Sequence, residues 1–149
     1  EESVHLRMFP DVPADWRNDS LAAKWDEIRS VRRVVTGALE VERVAKRIGA
    51  SLQADVQIFA DERFRQAFDG LDPGEVAITS RASMHAGTAP EGAFALHDVP
   101  GVAVVAHLAK GEKCARCWRV LEDVGSHPGH AGLCGRCVDV VERLQTASA

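Results

Sequence analysis

The sequence predicts an α+β chain in which a long helix leads into a small mixed α/β domain, followed by a four-cysteine, ribbon-like finger. Three observations predict it: apolar residues at helical spacing from Leu21 to Ile48, short strand-like runs between Ala54 and Ala109, and two C-x-x-C turns holding every cysteine. The changes of texture divide the chain at 1–53, 54–109 and 110–149. With 46% hydrophobic residues, the 149-residue chain can fill one compact core or two small ones.

The helix comes first. Leu21, Trp25, Ile28, Val31, Val35, Ala38, Val41, Ala45 and Ile48 recur at steps of three and four, which places them on one broad face. Trp25 is expected in the core with them. Asp19 or Ser20 can cap the start by accepting a backbone N–H, and Gly49 can supply the left-handed turn that ends the helix. Gly37 is an interior blemish, about 1 kcal/mol worse than alanine in a helix, and marks a candidate bend.

The middle segment reads as shorter elements. "DVQIFAD" alternates like a strand, "ERFRQAFDGL" has one apolar helical face, and "GEVAITSR" reads as a second strand. "GAFALHDV" and "GVAVVAHLAKG" follow as two more strands, punctuated by Pro90, Pro100 and glycines. Asp61, Glu62, Asp72 and Glu75 read as turn and helix-end residues, and no phosphate-cradling glycine loop or activated nucleophile occurs. No catalytic residue is therefore expected in this chain.

The chemistry sits in the last segment. Cys114-Ala-Arg-Cys117 and Cys134-Gly-Arg-Cys137 are separated by a loop of 16 residues. Disulfides, a redox pair or a metal could each gather four thiols in this way. The opening residues, Glu1 to His5, lack the basic start and apolar run of a signal peptide, so a reducing, cytoplasmic setting is expected and stable disulfides are not. A redox motif needs one C-x-x-C opening a helix in an α/β unit, and two copies on one short segment fit poorly. Two thiolate pairs close a tetrahedral shell with no open position, which suits one structural Zn2+ held by Cys114, Cys117, Cys134 and Cys137. His127 and His130, in "SHPGHAG", are then surplus and read as solvated loop residues. A unit of about 34 residues is too small to fold easily without such a metal.

Charge says who the partners are not. The total is −4, so bulk attraction to nucleic acid is excluded. It is unevenly spread: residues 24–49 carry seven basic side chains against four acidic, and 50–109 carry three against eight. The basic helix face has two readings, a solvated surface or an RNA contact. No apolar run is long enough to span a membrane. Trp118 follows a metal-ligand candidate directly, where a small finger has little room to bury it, and Arg116 and Arg119 flank it. An exposed ring there can stack an unpaired base while guanidinium groups meet phosphate or base edges. It can also shield the metal turn, and the two roles are compatible.

At these residues a resemblance emerges. "GEKCARCWRV" with "LCGRCVDVV" resembles the C-terminal zinc finger of bacterial isoleucyl-tRNA synthetases, a finger type shared with formamidopyrimidine-DNA glycosylases. "WDEIRSVRRVVTGALEVERVAKRIGASLQADV" is similar to the end of that family's helical anticodon-binding domain, and "HLRMFPDVPADWRND" to the segment before it. "KRIGASLQA" is close to the family's K-x-I-G-x-S-L-E-A, with Gln53 where glutamate is usual.

The resemblance implies a fragment: the end of the anticodon-binding domain (1–53), an α+β spacer (54–109), and a zinc finger with a C-terminal helix (110–149). The parent would join isoleucine to its tRNA, using ATP and Mg2+ in a catalytic domain absent here, as is the editing domain. The implied partners are isoleucine tRNA and the remainder of the parent chain. Carried over by motif, Arg116 and Trp118 are the candidates for touching the anticodon loop, and Lys46 and Arg47 for backbone contact. Two alternatives stand beside this: the finger of a DNA-lesion glycosylase, or a free-standing zinc ribbon for protein contacts.

Overall fold

A computed structural model describes residues 3–147. Helix α1, Asp19–Val44, is one unbroken rod. Asn18, one residue earlier than expected, caps it by accepting from the Leu21 N–H at 2.9 Å. It also ends earlier: Ala45 is the last half-helical residue, and Lys46 takes the left-handed turn at φ 58°. Gly49 is not needed there. The backbone N–H groups of Gly49 and Ala50 instead donate to the Gln53 side-chain oxygen at 2.6 and 3.1 Å, an acceptor role that glutamate would fill equally well.

The helical stripe is narrower than the pattern suggested. Ile28, Val31, Val34, Val35, Ala38 and Leu39 are buried, whereas Leu21, Trp25 and Val41 at the two ends are exposed. The reason is what the helix lies on. Its middle, Ile28 to Leu39, belongs to one buried cluster with the sheet and the helix Glu62–Ala67. Gly37 is no bend. The Phe94 ring rests against it so closely that a Cβ would stand 2.5 Å from the ring edge. An added methyl there would have to push the Phe94 ring aside.

Strand β1, Ala54–Ala60, pairs in parallel with β2, Arg81–His85, and antiparallel with β4, Val102–Leu108, whose outer edge carries β3, Phe94–Ala95. The sheet order is β2-β1-β4-β3. Val56 and Ile58 of β1 and Val102 and Val104 of β4 share the face under α1, as strand alternation requires. Helices α2, Glu62–Ala67, and α3, Pro73–Ala77, complete that layer, with Phe64 and Phe68 buried in it. One buried cluster joins α1 to the sheet across the 53/54 junction.

One expected element changes identity. "GEVAITSR" is not a strand: its first half is α3, and β2 starts only at Arg81. Asp72 accepts from the Gly74 N–H at 2.7 Å and Pro73 opens the helix, a start signal that overrides the β-branched residues behind it. Ile78, left-handed at φ 57°, then turns the chain into the sheet. Residues 3–18 form two short 3-10 turns, Val4–Leu6 and Ala14–Trp16, and expose Met8, Phe9 and Trp16 outside the core. No helix among the described residues is long and apolar enough to cross a membrane.

Candidate metal centre and nucleic-acid interface

The finger is built on a two-stranded ribbon, β5 (Glu112–Lys113) and β6 (Val120–Leu121), followed by α4, Gly135–Ala147. Cys114 and Cys117 lie in the turn between the strands. Within it the Trp118 N–H donates to Cys114 O, and the Cys114 N–H to Arg119 O, both at 2.9 Å. Cys134 and Cys137 open α4, and the Ala115 N–H donates to Gly132 O at 2.9 Å, drawing the two turns together. The Gly135 N–H at the helix start donates to the Asp123 carboxylate at 2.7 Å, which holds that carboxyl below its usual range.

The ribbon depends on Gly111, at φ 109°, where an added Cβ would stand 2.3 Å from the Leu121 main chain. Backbone across a hairpin cannot step aside as a side chain can. Gly111→Ala is therefore expected to destabilise the finger by more than the roughly 1 kcal/mol of an ordinary glycine exchange. Zinc retention during chelator titration, compared with wild type, measures it; unchanged retention would refute the close-approach reading.

All four cysteine sulfurs lie within 4.8 Å of one another, and Cys117 and Cys134 Sγ are 3.7 Å apart. Zn–S bonds of about 2.3 Å make a tetrahedron with edges of roughly 3.8 Å. A disulfide needs about 2.05 Å, so these are free thiols set at metal-cage spacing. Cys114, Cys134 and Cys137 are buried and Cys117 half-buried, and four sulfur ligands fill a tetrahedral shell with no open position. The donor set fits one structural Zn2+.

Local electrostatics prepares the cage. Burial pushes the Cys114 thiol up, but the backbone N–H groups of Cys117, Cys134 and Arg116 outweigh it and bring it down to about 6. Burial dominates at Cys134 and pushes it up to about 12. Bare thiols in this cage resist ionising together, so the cation is what allows four thiolates to sit side by side.

His127 and His130 lie outside the sulfur cluster. Neither is freely solvated as the loop composition suggested: both are half-buried, with Nε2 3.5 Å from Asp123 and 3.8 Å from Glu142 respectively. The His127 contact stays within the loop, whereas His130 reaches Glu142 of α4.

Trp118 is 60% exposed and left-handed at φ 67°. A bulky residue in that region is uncommon, and the turn geometry holds it there. The Lys113 ammonium lies 4.9 Å from its ring centroid, a neighbour that the sequence reading did not single out. Lys113 stands one residue before the first cysteine, and that spacing was the available signal. Arg116 is also exposed, with one N–H 3.8 Å from Cys137 Sγ.

The other basic candidates are more committed. Arg119, expected beside Trp118 on the RNA side, turns inward and donates to Ser80 O at 2.9 and 2.5 Å. Arg47 forks onto Glu42 at 2.5 and 2.8 Å. Along α1, Arg29 pairs with Asp26, Arg33 with Asp98 and Arg43 with Glu40, while Arg32 donates to Val76 O. The basic helix face is thus largely occupied by the protein's own acceptors. Lys46 is exposed on the left-handed turn.

The family described as "Zinc finger found in FPG and IleRS" matches residues 111–140. Over 144 residues, 96% of this chain, the sequence is 51% identical to an isoleucine–tRNA ligase of Brucella abortus and 50% identical to one of Agrobacterium fabrum. The identity to an isoleucine–tRNA ligase of Bartonella quintana is 45% over the same share. The chain spans about 15% of the length of these curated relatives. Its four cysteines fall within the matched finger. Nearly from end to end, the chain is homologous to the C-terminal region of isoleucine–tRNA ligases and carries that family's zinc finger.

Proposed function

We propose that this chain is the anticodon-end tRNA-binding part of an isoleucine–tRNA ligase, an enzyme that attaches isoleucine to its tRNA using ATP. ATP and Mg2+ would act in a catalytic domain elsewhere in that enzyme. Cys114, Cys117, Cys134 and Cys137 would ligate the zinc, and the partner would be isoleucine tRNA.

The observation that carries the reading is the placement of Trp118. A large aromatic held open to solvent in a sparsely populated conformation, beside a metal turn, is a preorganised stacking surface. Its ring has little freedom left to lose on binding, which favours affinity. Arg116, on the same turn, supplies a guanidinium for phosphate or a base edge. Lys46 can add backbone contact from the end of α1; Arg47 would first have to leave Glu42.

Trp118→Ala in a full-length ligase carrying this segment tests it. Losing one base stack costs about 1–3 kcal/mol, so tRNA binding should weaken roughly five- to 150-fold. Aminoacylation should fall while isoleucine-dependent ATP–pyrophosphate exchange stays at the wild-type rate. Arg116→Ala should also weaken binding, with zinc content measured because that side chain neighbours Cys137. If Trp118→Ala keeps its zinc and charges tRNA as well as wild type, the ring is only a lid on the metal.

A further inference from the structure

We propose that Arg119 is a positioning residue: it locks the finger onto the α1–sheet body and thereby sets the direction in which Trp118 points. This rests on the reading of Trp118 as the tRNA contact. Arg119 is the next residue after Trp118 and is held at both ends. Its carbonyl accepts from the Cys114 N–H at 2.9 Å, so its main chain belongs to the metal turn. Its side chain, only 16% exposed, reaches into the body, where Nε and Nη2 both donate to Ser80 O and Asp72 lies 3.9 Å away.

Ser80 receives the finger from the other side. It is fully buried, the Val120 N–H donates to its Oγ at 2.6 Å, and that Oγ donates in turn to Leu52 O at 2.5 Å. Its own N–H donates to Ala54 O at 3.0 Å. A few bonds therefore join the metal turn, β6, the entry to β1 and the start of β2. The two rim pairs, Arg136–Glu75 at 3.0 Å and Arg81–Glu122 at 3.2 Å, are exposed and contribute little. A charged donor forked onto a buried carbonyl is the stronger bond. A guanidinium spent in this way is not available to phosphate.

The zinc-loaded 149-residue chain provides the test, with Arg119→Ala as the main variant, Ser80→Ala as a break of the separate Val120–Ser80–Leu52 bridge that keeps the carbonyl Arg119 meets, and Arg136→Ala as a rim control. By 15N relaxation, wild type and Arg136→Ala should tumble as one body. Arg119→Ala should retain zinc yet show finger and sheet amides with separate correlation times. If the freed finger spends a tenth of its time in the productive direction, apparent affinity for isoleucine tRNA falls about tenfold.

The salt dependence of binding separates positioning from contact. A lost phosphate contact reduces the slope of log affinity against log salt by about 0.7, whereas a positioning residue leaves it unchanged. A variant that tumbles as one body overturns the lock, and a reduced slope makes Arg119 an RNA contact instead. Should Arg119→Ala release the finger while Trp118→Ala leaves tRNA affinity untouched, the tRNA reading falls and Arg119 keeps only its docking role. Ser80→Ala, which keeps the Arg119 fork, should still tumble as one body; if it frees the finger while Arg119→Ala does not, the serine rather than the arginine is the lock.

Discussion

Stripping the zinc is expected to unfold the finger and leave the α1–sheet body intact. The body has its own core, from Ile28 and Val31 through Val56, Ile58 and Val104 to Phe64. The finger has little besides its cysteines: Leu121, Val124 and Leu133 are partly buried around the sulfurs, and Val138 is buried in α4. Structural zinc in isolated fingers supplies an apparent ~10–16 kcal/mol at neutral pH, far more than those few side chains can replace. Cys134→Ser should act like chelation, since it removes a buried ligand from a four-member shell. The expected NMR result is collapse of finger amide dispersion, with α1 and sheet resonances preserved apart from those around Ser80. Finger resonances that stay dispersed after complete zinc removal would sink the idea that the metal orders this unit.

The opposite lesion should be equally selective. Phe64→Ala is expected to destabilise the body by about 3–5 kcal/mol, the usual cost of removing a buried aromatic ring. Phe64 is 1% exposed in the layer where α2 meets α1, with the Arg63 guanidinium 4.3 Å from its ring centroid. Much of a small domain's stability is of that size, so the urea midpoint of the body should drop sharply. Zinc stoichiometry should not change, because no ligand lies in that layer. A midpoint within experimental scatter of wild type would mean that the α2 layer contributes little to the body.

Some of this structure was written in local pattern. The cysteine spacing carried the metal cage, because two C-x-x-C turns leave little freedom over where four sulfurs converge. The period of α1 and the alternation of β1 carried the core, since Ile28, Val31, Val35, Val56 and Ile58 repeat at the spacing of the surface that buries them. The start of α3 was also present locally, in Asp72 and Pro73. Reading Gly74 to Arg81 as a strand gave its β-branched residues more weight than that start signal.

Other features had no local signature. Nothing near Gly37 announces Phe94, because the ring arrives from β3, far along the chain. Trp25 repeats with the core residues yet is partly exposed, outside the buried cluster that α1 shares with the sheet. Arg116 and Arg119 look alike in sequence on either side of Trp118. Only the fold sends one to the surface and the other into Ser80, 39 residues earlier in the chain. The sequence alone determined α1, β1 and the four-cysteine cluster, because each depends on residues close together or on a repeated spacing. Tertiary structure decided which basic side chains are free to meet a partner, because that depends on acceptors brought from distant parts of the chain.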